Sequence, residues 1–452
     1  MKKERLNTEN TSFIITVNWS KISQFLSLNV LSIIFLLGFL ILVSCEKDDD
    51  VEIEDQDDSE VAITGEPFDN PSYNTEQTVS DEAQRNTIAF DALGFYCGNL
   101  GAQTFLPPGK VADYSGFQYF RDNDQTGLGH NTSFVTIIAH NMLNILDDEQ
   151  IQMYVDAAYD QIDMINEYAY KRFELCKAFR RLIEEDLPSG TTGLDKGSIM
   201  DYSAELYKID GEISYFRAKL FGEIVSSLTY EQKAEIKALY GLEGVGNWPS
   251  NLSDPLVEMG LEPDVNVAVM TYASEMYAWY AGSVTADVYF CPERQGTYFG
   301  SFYLKDWPAM GNPDYTIDEQ LTANAGQNFF NILTDDQYDT FVSVVDLQKS
   351  ALLSICDTRE QVSTELRKFL DGETASFETV ETLSQEYGRY DGEIIYYYAT
   401  YFSEVYHSLS DEQKSQVLSL TDGLGYVNPD GAFLYSEPIA MPEIDNTDFL
   451  FN

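Results

Sequence analysis

Residues 205–215 read ELYKIDGEISY and residues 386–396 read EYGRYDGEIIY. The frame Glu205-x₂-Lys208-x-Asp210-Gly211-Glu212-Ile213-x-Tyr215 returns as Glu386-x₂-Arg389-x-Asp391-Gly392-Glu393-Ile394-x-Tyr396, 181 positions later. Matches of this kind point to an internal repeat, which decides the fold before any single element is read. Working outward, more pairs appear in the same order. Asn141–Leu146 matches Asn328–Leu333, Arg172 matches Arg359 and Arg180 matches Arg367, all 187 apart. Thr87–Asp91 matches Thr271–Glu275, and a Pro-, Gly- and Tyr-rich loop from Pro108 to Asp122 matches Pro292 to Asp306, both 184 apart. The offset changes only at Gly- or Pro-rich stretches, where insertions are tolerated.

The expectation is an all-α chain, a tandem duplication of a helical-bundle module with a short Gly/Tyr-rich loop or hairpin in each copy. The first copy is read at 81–245 and the second at 268–425. A proline-bearing connector covers 246–267, and an extended strap covers 426–452, its apolar Phe449-Leu450-Phe451 end packing back on the body. Helix starts are written in one recurring device. A leucine precedes a cap residue and, three positions on, a glutamine: Leu146-Asp147-x₂-Gln150, Leu228-Thr229-x₂-Gln232, Leu333-Thr334-x₂-Gln337 and Leu409-Ser410-x₂-Gln413. The cap oxygen takes a backbone N–H while Gln reaches back, and the leucine staples the entry. These caps predict helices near 132–145, 148–184, 198–226 and 230–240 after an earlier one near 83–103, with the set repeated in the second copy. The device resembles the LTxxQ motif of periplasmic stress-sensing, chaperone-like proteins, over five residues at each occurrence.

Two constellations invite chemistry. Glu205, Glu212 and Glu223 share a helical face, as do Glu386, Glu393 and Glu404. Arg172 with Arg180, and Arg359 with Arg367, share faces on the preceding helices. With Asp210 and Asp391 these form a repeated polar network, read as ion pairs between facing helices. The sharper alternative is a carboxylate metal site within each bundle. Tyr215 and Tyr396 stand where di-iron bundles place histidine, which argues against that chemistry. Asp122-x-Asp124-x-Thr126-Gly127 follows the first half of a calcium loop, but Ser133 replaces the closing glutamate, so a polar turn is the competing reading. No cofactor is expected apart from that calcium. His130, His140 and His407 are too few and too scattered for a zinc site. Cys97, Cys176, Cys291 and Cys356 leave disulfides and free thiols both open.

Seventy-five acidic against 27 basic side chains give a charge of −48, which excludes nucleic acid and anionic membrane surfaces as partners. With 44% hydrophobic residues, however, the body is too apolar for an acidic disordered chain.

The N-terminus reads as an address. Lys2, Lys3, Arg5 and Lys21 precede the apolar run Leu26–Val43, which closes on Leu42-Val43-Ser44-Cys45. This resembles a bacterial lipoprotein signal peptide over 1–44 ending in a lipobox, which implies cleavage before Cys45 and its lipidation. Ten of the fifteen residues from Glu46 to Glu60 are acidic, so 45–80 is expected to be a solvated tether. Cys45, Lys47, Asp48 and Asp49 resemble the export signal of surface lipoproteins in Bacteroidota. That implies an outer-membrane lipoprotein, surface-exposed or else facing the periplasm. The function expected is binding or structural, towards a surface protein, a glycan or a cation. The alternative is a metal-assisted hydrolase or oxidoreductase using the bundle carboxylates.

Overall fold

The computed structural model describes residues 76, 79–97, 133–242, 245–290, 325–423, 432–434, 437–439 and 444–452. Cys45, the tether and the loop holding Asp122, Asp124 and Thr126 lie outside the described residues. Within them the protein is essentially all-α. The helices are α1 (Asp81–Cys97), α2 (Ser133–Ile145), α3 (Asp148–Ile183), α4 (Lys196–Ser227), α5 (Tyr230–Tyr240), α6 (Pro263–Tyr280), α7 (Val284–Phe290), α8 (Ala325–Phe330), α9 (Asp335–Arg367), α10 (Phe377–Ser408) and α11 (Asp411–Gly423). One small antiparallel hairpin pairs β1 (Ala432–Leu434) with β2 (Glu437–Ile439), Ala432 facing Ile439.

The four leucine-led starts all become caps. Asp147, Thr229, Thr334 and Ser410 each accept from the N–H of the glutamine three residues on, and each glutamine accepts from the cap's own N–H at 2.9–3.0 Å. Leu146, Leu228 and Leu409 are buried as staples. The glutamines then do something local sequence does not specify. Gln232 donates to Gln150 Oε1 at 2.7 Å and to the Ile145 carbonyl at 2.9 Å. Gln413 does the same to Gln337 Oε1 at 2.7 Å and to the Ile332 carbonyl at 2.8 Å. Each pair of caps is thereby clasped to its neighbour, fixing the end of one bundle.

The turns after the long helices also correspond. α3 ends with Asp186 N–H donating to the Arg181 carbonyl, and α9 with Glu373 N–H donating to the Lys368 carbonyl, both at 2.9 Å. Each closure needs a left-handed residue. It is Gly372 after α9, at φ 72°, but Glu185 after α3, at φ 59°.

Packing does not follow chain order. α6 packs chiefly on α2, α3 and α4, whereas α1 packs chiefly on α8, α9, α10 and α11. The first bundle is therefore α2 to α6, and the second is α7 to α11 closed by α1. The segment 246–267 belongs to the first bundle: Asn141 and Asn144 donate to the carbonyls of Pro249 and Ser253, and Trp248 stands edge-on to Tyr277. α4 and α10 form the largest contact and join the two bundles.

The chain end is strapped to the first bundle. Thr192 N–H donates to the Asn452 carbonyl, Asn452 N–H to the Gly193 carbonyl at 3.0 Å, and Asp195 N–H to the Leu450 carbonyl at 2.8 Å. Leu450 and Phe451 are buried, and Arg181 holds Asp448 at 2.8 Å while lying over the Phe451 ring.

Candidate functional site

The repeated Asp-Gly pairs sit where α4 crosses α10, and glycine is what lets the helices meet there. A β-carbon on Gly211 would fall 2.7 Å from Ser384 Cβ, and one on Gly392 would fall 2.9 Å from Ser203 Cβ. Ser203 and Ser384 are themselves 181 apart, so the two contacts are reciprocal. Between them Tyr207 lies against Gly388, whose missing β-carbon would come within 2.5 Å of Tyr207 Cβ. Tyr207 and Tyr387 then meet edge to face at 4.7 Å.

Around this crossing the interior is polar. Asp210, Asp391, Arg172 and Arg359 are fully buried, and Arg180 and Arg367 nearly so. Arg172 approaches the Tyr168 ring and Arg359 the Tyr387 ring. Burial pulls the Arg359 guanidinium below its usual range, opposed by Tyr387, Tyr207 and Asp287. Asp210 accepts from Ser214 Oγ at 3.2 Å. Four arginines and two aspartates bring charge into a low-dielectric interior, where isolated charges would be costly.

The repeated glutamates stand elsewhere. Glu205, Glu223, Glu386 and Glu404 are exposed, and Glu212 and Glu393 are half-buried. Glu205 accepts from Gln385, Glu386 from the Tyr390 hydroxyl, and Glu393 from Lys196 and Tyr397. The arginines point inward from the other side of the layer. Arg367 binds Asp287 through two nitrogens, at 2.7 and 3.1 Å, while Arg359 donates to the Asp287 carbonyl at 2.9 Å. Arg180 donates to the Phe95 carbonyl and stacks on that ring. The expected arginine–glutamate network is therefore corrected: equal spacing put each set on one face, but the helices turn the glutamate face to solvent.

A second polar cluster escaped sequence reasoning. In the first bundle Arg217 donates to Glu275 Oε1 at 2.9 Å, with both side chains about 1% exposed. Gln161 accepts from Tyr272 Oη at 2.9 Å and from Arg217 Nε at 3.4 Å, and Arg217 lies 4.7 Å over the Tyr272 ring. Burial pushes the Glu275 carboxyl above its usual range and Arg217 pulls it back. Burial pushes the Tyr272 hydroxyl up to about 12. The positions matching Gln161, Arg217, Tyr272 and Glu275 at the repeat offsets are Gln348, Tyr398, Ile88 and Asp91. Those residues come from α9, α10 and α1 and belong to the second bundle, where Tyr398 is affected by both Asp91 and Gln348. Arg217 was overlooked because it does not repeat.

Among the described residues no group of three or more His, Cys, Asp or Glu is arranged to hold a metal ion. His140 stands 3.9 Å from Asp254, and His407 lies 3.3 Å from the Leu182 carbonyl. Cys176 and Cys356 are buried, and burial pushes the Cys356 thiol up to about 12. No described helix is long and apolar enough to cross a membrane. No family model, curated protein or solved structure matches this chain.

Proposed function

We propose that this is a lipid-anchored protein of the outer-membrane surface whose duplicated helical body binds or supports a partner without performing catalysis. The observation carrying the address is the apolar Leu26–Val43 run closing on Val43-Ser44-Cys45 and followed at once by acidic residues. An acidic tether repels the anionic surface beneath it and holds the body away.

The duplication draws support from the reciprocal Gly211–Ser384 and Gly392–Ser203 contacts, the two matching glutamine clasps and the corresponding turns at Glu185 and Gly372. Reciprocal contact between equivalent residues is what a local two-fold arrangement of two related units produces. In that frame Tyr207 and Gly388 are counterparts beside the axis. Two tyrosines there would collide, so one unit supplies the ring and the other supplies room. The binding or structural reading rests on where the charges go: Arg217, Glu275, Arg367 and Asp287 are spent on one another inside the fold. A protein, a glycan or a cation is the class of ligand proposed for the acidic exterior.

Growth with an alkyne-tagged fatty acid tests the address. The wild-type chain should take up label and be cleaved by protease added to intact cells, whereas Cys45→Ser should lose label and membrane association. Labelling that survives Cys45→Ser would overturn the proposal.

A further inference from the structure

The two bundles answer one problem differently. In the first, Glu275 on α6 is buried against the Arg217 guanidinium. In the second, Asp91 takes the matching place on α1, fully buried, and neither carboxylate oxygen has a hydrogen-bond partner. At the matching position for Arg217 stands Tyr398, which carries no positive charge. Gln348 Oε1 is also buried and unbonded, its amide nitrogen being given to Gln84 at 2.8 Å. Tyr398, which responds to both Asp91 and Gln348, thus stands with the Gln348 amide beside a carboxylate, and among the described residues no cation faces it.

Each element against α1 can be searched for that missing charge. α8 (AGQNFF) has no ionisable side chain. α9 presents Gln348, its Lys349 turns outward to Asp81 at 2.7 Å, and its buried Arg359 and Arg367 both go to Asp287. α10 presents Tyr398, which also responds to Asp391. α11 directs Lys414 to the Tyr406 ring. From α3, Arg180 reaches α1 one turn further on, at the Phe95 carbonyl and ring. An ionised carboxylate left uncompensated in such an interior is strongly disfavoured.

We infer that the second bundle takes up one small cation from solution at Asp91, an alkali-metal ion or a proton, in the role that Arg217 plays in the first, and that α1 docks with it bound. Oxygen donors of this kind suit a hard cation, and a carboxylate is equally served by a proton. Burial alone drives the Asp91 carboxyl well above the carboxylate range, consistent with demand for a positive charge. α1 is also the element a cation can most readily control, since it closes a bundle otherwise built of α7 to α11. The repeat serves only to align the two sites, so loss of the lipid-anchor reading would leave this inference untouched.

The test compares thermal unfolding of the full chain in detergent with that of Asp91→Asn and Tyr398→Arg. Sodium chloride is exchanged for choline chloride at constant ionic strength, at pH 5 and at pH 8. The wild type should melt a few degrees lower in choline at pH 8 than in sodium or at pH 5, an increment absent from Asp91→Asn. A sodium response at fixed pH assigns the metal ion. A pH response indifferent to sodium, with a protonated-carboxyl infrared band that Asp91→Asn removes, assigns the proton. Tyr398→Arg should abolish either response by supplying the charge internally. If that variant does not fold, the wild-type and Asp91→Asn pair still decides. A difference between those two that is constant across both salts and both pH values would overturn the proposal.

Discussion

The capped ends of the bundles and their polar interiors teach opposite lessons. At the ends both halves keep the same chemistry: a Ser, Thr or Asp cap, a glutamine three residues on, and two glutamines clasped at 2.7 Å. Inside, Gln161, Arg217, Tyr272 and Glu275 face Gln348, Tyr398, Ile88 and Asp91 at matching positions. A cap must place one oxygen on one N–H, and few side chains have the reach. An interior asks only that charge be compensated and volume be filled, which different residue sets can do. The α4–α10 contact shows the same freedom. Lys196 reaches Glu393 and the Tyr397 hydroxyl, each at 2.7 Å, where the matching Phe377 instead packs on Tyr215 and Phe216.

The largest break in the comparison should come from Glu275→Leu. It leaves the Arg217 charge buried alone and should cost roughly 3–5 kcal/mol in chemical denaturation. Adding Arg217→Met should recover most of that loss, because the hydrophobic pair no longer strands a charge. Asp91→Asn strands nothing, so its effect should be far smaller. Equal losses at Glu275 and Asp91 would mean the two interiors are not chemically different.

Gly388→Ala should come next. A β-carbon 2.5 Å from Tyr207 Cβ and 2.7 Å from the Ser203 carbonyl must push α4 off α10, at about 1–3 kcal/mol. Tyr207→Ala in the same chain should relieve part of it, which a double-mutant cycle would measure.

The clasps should lose similar amounts in both bundles. Gln232→Ala and Gln413→Ala each remove a cap bond and an inter-helix bond, and about 1–2 kcal/mol is expected from each. A marked inequality would show that the two ends differ in energetics as the interiors differ in chemistry. In the other direction, Glu185→Gly should stabilise by roughly 0.5–1 kcal/mol, because it frees the α3 turn from left-handed strain that Gly372 already avoids.

The pH response sharpens the comparison with least effect on overall stability. Burial raises the Asp91 carboxyl above its unfolded value of about 4. Below that value both states hold the proton and the contribution is complete. As pH climbs above it the unfolded chain releases the proton first, so stability falls until the folded value is passed. Asp91→Asn should therefore gain on the wild type as pH rises from about 4 to 8 in choline, read as a growing difference in melting temperature.

Much of the fold was legible. The caps at Asp147, Thr229, Thr334 and Ser410 mark helix starts to the residue, since capping is a contact between near neighbours. The observed ends at Ile145, Ile183, Ser227 and Tyr240 lie within a residue of the expected ones. The site was legible only in part. Arg172, Arg180, Arg359, Arg367, Asp210 and Asp391 stood out by repeating and are indeed interior. The glutamates repeated as faithfully and are at or near the surface, because a spacing of 7 and 11 fixes a common face without saying which way it turns. Arg217 and Asp287 were invisible to a search for repetition, although they carry the clearest buried ion pairs.

Sequence by itself determined the helices, their caps, the paired stretches and the acidic, apolar-led N-terminus, because each depends on contacts within a few residues or on composition. The tertiary structure alone decided that α1 closes the second bundle and α6 the first, that glycine brings α4 onto α10, and that Arg217 meets Glu275 while Asp91 meets no cation among the described residues. Those outcomes rest on side chains tens to hundreds of residues apart competing for one interior. Only packing, where volume and charge must be satisfied together, selects among them.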